Sequence, residues 1–373
     1  MSEPPDEGNR ESIPLLLART SRKPPASARE TPPRRTKPPP ERSSLRAPSA
    51  RTEKAGALGY LRTRLGGAGM LLAAMLVLSA VFADMLANDL PLACRLHGKL
   101  WLFPNVTQPA ELVEMGGEAV EADSEWKVAT PVAHGPNSST AAPLLPPGAV
   151  QGHPFGTDHE GRDVFARVVH GTRTYLVFAL AAVVASLLLG GLLGSLAGLF
   201  GGATDALVGR AIEAVSAFPP LVLVLGIQAA VPRATAATLF LAIALTRWPE
   251  VARLVRAEVM RVATRDYVMA ARALGASPMR VLRKHIAPNV RGQLVVLGAV
   301  GVPAVILIEA SLDFLRVSGA TSAASWGETM SEFRDAPGAW WLLAFPGAFL
   351  FTTIVALNLV GEARRASFDP RAR

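Results

Sequence analysis

Cysteine is nearly absent. Cys94 stands alone in 373 residues, so no internal disulfide can form and no thiolate cluster can hold a metal. Charge is scarce as well: 18% of residues are Asp, Glu, Lys or Arg against 50% hydrophobic, a balance that points away from a soluble enzyme and toward several membrane spans. Catalytic signatures are also missing. The chain has no Gly-x-Ser-x-Gly elbow, no His-Glu-x-x-His pair and no Walker lysine, so any ATP hydrolysis must come from a partner, and no cofactor or metal site is expected. A secretory leader is not expected either, because the first strong apolar run begins far beyond the usual stretch of roughly 15–30 residues.

What is abundant is apolar sequence in runs long enough to cross a hydrocarbon core of about 30 Å. Such runs lie at Ala68–Ala87, Tyr175–Phe200, Ala217–Val231, Ala234–Ala244, Gln293–Leu312 and Trp341–Val360. They predict an all-α, polytopic membrane protein with six transmembrane helices. The third and fourth runs are short and separated only by Pro232-Arg233-Ala234-Thr235, which reads as a hairpin or a re-entrant segment.

Orientation follows from the cations near span ends. Arg51, Lys54, Arg62 and Arg64 precede the first span, and Arg364, Arg365, Arg371 and Arg373 follow the last, so both termini are expected in the cytoplasm. The loop from Arg247 to Arg291 carries seven arginines between its ends and Lys284 against Glu250, Glu258 and Asp266, and is expected on the same side. Glu111, Glu114, Glu118, Glu121, Asp123 and Glu125 crowd the segment after the first span, which is expected outside. The formal charge of +8 is thus read as topology and not as a nucleic-acid surface, since the cations gather at span ends instead of interleaving with aromatics on one module.

The domain plan has four parts. Residues 1–55 form a Pro- and Arg-rich tail with almost no hydrophobic periodicity, expected to be disordered. Residues 68–87 make the first span, and 88–150 an acidic, Pro-rich extracytoplasmic loop whose sequence specifies no fold. Residues 152–373 hold spans two to six, with a basic loop at 266–289.

That loop reads as helix, corner, helix. Tyr267, Ala270, Ala271 and Leu274 recur at helical spacing and offer a small apolar face that can dock into a groove. Gly275 can end the first helix in the left-handed region, Ser277 can cap the next, and Pro278 suits its first turn. Met279, Leu282 and Ile286 line one side of the second helix, and Pro288 is expected to stop it before the next span.

Four other patterns have a sharp and a bland reading. Gly190, Gly194, Gly198 and Gly202 recur every four residues, which suits close helix packing and not a phosphate loop, because no Walker lysine follows. Asp84 and Glu309 lie in or near span ends, where a bare carboxylate costs about 3 kcal/mol or more, so each needs a partner, water or an interfacial position; a proton relay is the competing reading. His153, Asp158, His159, Glu160 and Asp163 suggest a metal site, but their spacing lacks an evident ligand set and reads as a surface loop. Asn105-Val106-Thr107 and Asn137-Ser138-Ser139 match glycosylation acceptors, a match common by chance.

The basic loop resembles the cytoplasmic EAA loop of permease subunits from ATP-binding-cassette importers, with Ala270, Ala271, Gly275 and Pro288 at that family's spacing. Met269 stands in place of the usual Glu, His285 in place of Ile, and Ala287 in place of Leu. His153-Pro154-Phe155-Gly156-Thr157-Asp158, Gly161-Arg162-Asp163-Val164, Ala217-Phe218-Pro219-Pro220, the stretch from Glu309 to Leu315, Ser325-Trp326-Gly327 and Phe368-Asp369-Pro370-Arg371 are similar to the peptide and nickel branch. The resemblance covers roughly Gly152 to Arg373. It implies a type I importer permease fold and half of a translocation path shared with a second, homologous permease subunit. It also implies two ATPase subunits docked at Tyr267, Ala270, Ala271, Leu274, Gly275, Ser277, Pro278 and Pro288, and an extracytoplasmic substrate-binding protein. The substrate implied is a dipeptide or oligopeptide, with nickel or a metal chelate as the alternative. A receptor or scaffold that recruits a protein through the basic loop is the alternative of another class.

Overall fold

In the sequence, no charged residue falls between Arg173 and Asp205, and most of this run lies in one long helix, opened by Asp163, in the computed structural model. The structure describes residues 64–319 and 323–368, with side chains at 66–319 and 323–363. The tail 1–55, most of the flanking cations and Asp369-Pro370-Arg371 lie outside the described residues. The main helices are α1 (Arg64–Val81), α2 (Val164–Phe200), α3 (Gly202–Ser216), α4 (Pro220–Ala230), α5 (Ala236–Ala263), α6 (Asp266–Ala273), α7 (Pro278–Val281), α8 (Ala287–Phe314), α9 (Trp326–Glu332) and α10 (Trp341–Phe368).

Local chemistry sets the ends. The Asp163 carboxylate accepts the Ala166 amide at 2.7 Å and starts α2, while Gly201, at φ +63°, closes it. Thr235 and Thr238 form a reciprocal capping box at the head of α5.

Among the described residues the count of six crossing helices is not confirmed: three helices there are long and apolar enough to cross a bilayer, Val164–Phe200, Pro278–Phe314 and Trp341–Ala363. A fourth crossing arises if α3 and α4, which meet at 87°, make one broken span, and Gly66–Val81 is a shorter apolar helix. The run at Ala217–Val231 holds one helix of 11 residues, α4, too short to cross alone. Pro219 and Pro220 remove two backbone donors, and each bars the residue before it from helical geometry, so the chain turns there. The run at Ala234–Ala244 is only the start of α5. Beyond Ala244 the helix keeps a buried face through Val251, Val255, Val259 and Val262, so charged residues on its other side end the hydropathy signal but not the helix.

Nor is the chain wholly helical. The acidic segment folds around a three-stranded antiparallel sheet of order β2-β1-β3, with β1 at Ala93–Leu96, β2 at Lys99–Leu102 and β3 at Trp126–Val128. His97 and Gly98, both at positive φ, make the tight β1–β2 turn. Two short helices, Ala110–Met115 and Gly117–Asp123, set Leu112 and Val120 against Cys94 and Leu96 to form a small core.

The principal packing is α2 against α5. A Cβ on Gly190 would sit 2.6 Å from Val251 Cβ, one on Gly198 2.8 Å from Val259 Cβ, and one on Gly194 would overlap the Ala252 backbone. Gly202 does not belong to this stripe: it follows the helix break at Gly201, has φ +53°, and nothing lies within 4 Å of where its Cβ would be. Adding a side chain at a closed site forces backbone shifts that cost about 1–3 kcal/mol. Gly194→Val should therefore lower the melting temperature of the detergent-solubilised protein by several degrees, whereas Gly191→Ala, in open space, should leave it unchanged. Equal melting temperatures for the two variants would rule out the close contact.

Candidate functional site

The basic corner is built by hydrogen bonds that the sequence specifies. After α6, the Ala276 amide donates to Ala271 O at 3.0 Å and the Gly275 amide to Arg272 O at 2.9 Å, the paired bonds of a Schellman ending with Gly275 at φ +82°. Ser277 then caps α7, accepting the Arg280 amide at 3.4 Å, and Pro278 occupies the first turn.

Valines fasten this corner to α5. Val268, Val281, Ile286 and Val290 are buried with Val251, Val255, Val259 and Val262 in one cluster. The inward residues therefore differ from those the spacing suggested: Met279 points outward, Leu282 is half-buried, and only Ile286 of that trio is enclosed. Asn289 Nδ2 ties the two sides, donating to His285 O at 2.6 Å and to the Tyr267 hydroxyl at 3.4 Å.

The outer surface holds Tyr267, Ala270, Leu274, Gly275, Ser277, Pro278 and Pro288, all exposed, with Ala271 half-buried. Leu274 is the extreme case at 89% exposure. Around it stand Met269, Met279, Arg272, Arg280, Arg283 and Lys284, also exposed. An apolar knob ringed by cations is the make-up of a protein-binding surface.

Pro288 does not stop the second helix. Leu282–Ile286 winds as a π-turn, and the chain continues through Pro288 into α8. A proline lacks its amide and clashes with the carbonyl four residues back; a wider turn relieves the clash without ending the helix.

At the far ends of α2 and α8 lies a second arrangement. Here the segment read as a surface loop is buried, with His153, Asp158 and Asp163 each at most 3% exposed. Its groups are committed to one another: His153 Nδ1 lies 2.8 Å from Asp163 Oδ2, and Arg162 Nε donates to Asp158 Oδ2 at 2.6 Å. Arg162 reaches Glu332 at 3.3 Å, and Arg167 donates to Glu328 at 2.9 Å and to Thr329 Oγ1 at 3.1 Å. Among the described residues no His, Cys, Asp and Glu group is arranged to hold a metal ion. The segment clasps α2 to α9. α9 is also wedged against α8: the Tyr175 hydroxyl donates to Asp313 Oδ2 at 2.6 Å, Ser325 Oγ donates to the same oxygen at 2.5 Å, and Trp326 Nε1 donates to Val168 O at 2.8 Å. The stretches His153–Val164, Glu309–Leu315 and Ser325–Gly327, far apart in sequence, thus meet in one place.

A family model described as the binding-protein-dependent transport system inner membrane component matches residues 190–373, which include the glycine stripe, the corner and α9. The oligopeptide transport system permease protein OppC of Bacillus subtilis is 36% identical over 222 residues, 59% of this chain and 72% of that protein. The chain belongs to this family. The probable D,D-dipeptide transport system permease protein DdpC of Escherichia coli is 36% identical over 64% of the chain and 80% of its own length. The dipeptide transport system permease protein DppC of Bacillus subtilis is 35% identical over 61% of the chain and 71% of its length. These relatives are transport permeases of membranes and not enzymes, and so is this inner-membrane component.

Both isolated carboxylates of the permease have a setting. Asp84 pairs with Arg173 Nη1 at 2.8 Å, three residues beyond the end of α1. Glu309 is 4% exposed, one turn from Asp313, and its Oε2 has no hydrogen-bond partner. The clasp itself was missed from sequence, because Arg162 and Arg167 find Glu332 and Glu328 170 and 161 residues away; the signal available was the resemblance of each stretch separately.

Two measurements probe the clasp. Asp158→Asn leaves two buried arginines short of a countercharge and should destabilise the detergent-solubilised protein by about 3 kcal/mol, seen as a lower melting temperature. His134 stacks on His153 at 4.3 Å, and burial, then the neighbouring His153, hold its proton affinity below the ordinary range despite Asp163, Asp89 and Glu121. The unfolded chain then takes up the proton first as pH falls, so this contribution is present above the ordinary histidine range and is lost on acidification. Amide protection factors at residues 130–140, with the intrinsic slowing of exchange in acid divided out, should fall between pH 7 and pH 5, and His134→Phe should remove that dependence.

Proposed function

We propose that the chain is a permease subunit of an ATP-driven importer of dipeptides or oligopeptides, and that it receives the power stroke at the corner between α6 and α7. The observation that carries this reading is Leu274: 89% exposed at the tip of a turn whose inner side is fully packed. A side chain so placed contributes nothing to the fold, and its exposure is explained by a partner's groove. The peptide class rests on the relatives, three of which are peptide permeases by name.

In this reading the corner and both termini face the cytoplasm, where the cations gather, and the sheet-bearing acidic segment lies outside. A second permease completes the path, two ATPase subunits clamp the two corners, and a binding protein delivers peptide to the outer mouth. Closure of the ATPases displaces Leu274; the valine cluster passes that displacement to α5 and α8, and the spans rotate between inward- and outward-open states. Tyr267, Ala270, Ala271, Gly275, Ser277 and Pro278 shape the docking surface, and Pro288 sets the π-turn behind it.

Leu274→Asp tests the assignment cleanly, because an exposed residue can change without cost to folding. In the reconstituted complex it should reduce substrate-stimulated ATP hydrolysis by about tenfold or more while membrane insertion is unchanged. Gly275→Val, which forces a β-branched residue to φ +82°, should release the ATPases on gentle purification. Full activity of the Leu274 variant would sink the docking role, and recovery of the chain without any ATPase would move it to a receptor or scaffold.

A further inference from the structure

The small sheet is apolar on the side that no described residue covers. Its register pairs Ala93 with Leu102 and Val128, and Arg95 with Leu100 and Trp126, so these six residues share one face. Leu100, Leu102, Trp126 and Val128 on that face are 42–62% exposed, and Phe103, the next residue after β2, is 50% exposed. The opposite face buries Cys94 and Leu96 under the two acidic helices. The lysines confirm which side the acids occupy: Lys99 and Lys127, on the covered face by the same register, pair with Glu111 and Glu121.

We infer that this face rests on the surface of the lipid bilayer. Continuity with the lipid-exposed side of α1 supports this occupant. Leu78, Val81 and Phe82, at the end of α1, are 43–63% exposed, and the Asp84–Arg173 pair marks the polar level at which the helix leaves the apolar layer. Six residues separate the short helix Ala83–Leu86 from β1, a reach of at most about 25 Å, so the sheet stays near the headgroups. Charge agrees. Arg95 is the one charged residue of the apolar face, set beside Trp126 and bound to Glu125 at its rim at 3.3 Å, whereas the helical acids lie on the far side. A tryptophan and an arginine among leucines is an interfacial composition, and an acidic surface is turned from anionic lipid. The segment thereby becomes a foot that fixes how the outer part of the permease sits against the membrane.

The test uses the full chain in phosphatidylcholine–phosphatidylglycerol vesicles. With Cys94→Ala as background, an environment-sensitive fluorophore is placed at Leu102→Cys or, on the acidic side, at Glu114→Cys. Lipid carrying a headgroup nitroxide should quench the Leu102 probe about twofold or more, and aqueous iodide should reach it about fivefold less well than the Glu114 probe. Because replacing Cys94 disturbs the small core, the question is repeated with Cys94 intact: brominated lipid should quench a component of tryptophan emission in the native chain that is absent in Trp126→Phe. Equal iodide access at the two probes, with no lipid quenching, would overturn the inference. Shielding of the Leu102 probe without lipid quenching would also overturn it and assign the face to a protein.

Discussion

Two helices approach as closely as α2 and α5 do only where one of them lacks side chains. Along Gly190, Gly194 and Gly198 the backbone of α2 lies directly against Val251, Ala252 and Val259 of α5. In a bilayer no hydrophobic gain separates a helix from lipid, so this contact rests on van der Waals fit over the whole length of the stripe. The register of α5 follows from it. Once Val259 faces Gly198, Val255 and Val262 are committed to the same side of α5, and that row is the wall on which Val268, Val281 and Ile286 of the corner pack. The glycine stripe therefore determines, one layer removed, where Leu274 stands.

The corner divides its labour by direction. Inward, branched side chains with little rotamer freedom hold it in one position. Outward, Leu274, Met269 and Met279 are unused by the fold, and the cations around them keep the surface soluble. A turn closed by paired Schellman bonds, a serine cap and a proline leaves few soft dihedrals between α6 and α7, the stiffness that the proposed coupling through Leu274 requires.

How much was legible in the sequence depends on the range of the interaction that decides each element. The corner was legible, because Gly275, Ser277 and Pro278 act on backbone within a few residues of themselves. The glycine stripe was legible for three of its four members; Gly202 was lost because Gly201 ends the helix just before it. Pro288 was misread, since a proline reports a missing amide and not whether the helix will stop or widen around it. Hydropathy set the third and fourth runs at Ala217–Val231 and Ala234–Ala244; the helices there are Pro220–Ala230, trimmed at its start by two prolines, and Ala236–Ala263, carried beyond its apolar part by a buried valine row. The clasp and the sheet were not legible at all. The first joins carboxylates to arginines 161 and 170 residues apart, and the second uses strands of three or four residues, too short for alternation to stand out.

The helix that begins at Pro278 and ends at Phe314 joins the two organised ends of the molecule. At 37 residues it is about 55 Å long, more than a bilayer with its headgroups requires, so it carries the corner at one end while Asp313 at the other takes hydrogen bonds from Tyr175 and Ser325. Its far end is therefore pinned to α2 and α9 by bonds of 2.5–2.6 Å, while its near end is held against α5 by the buried cluster of Val281, Ile286 and Val290. A rod fixed at one end and driven at the other pivots about the fixed end unless it has a joint. The π-turn at Leu282–Ile286, between the corner and the apolar stretch, and Pro303 farther along both interrupt its ladder of α-helical hydrogen bonds. Under the proposed coupling, motion at the corner is taken up partly as bending at these two places and partly as rotation of α8 about the Asp313 anchor.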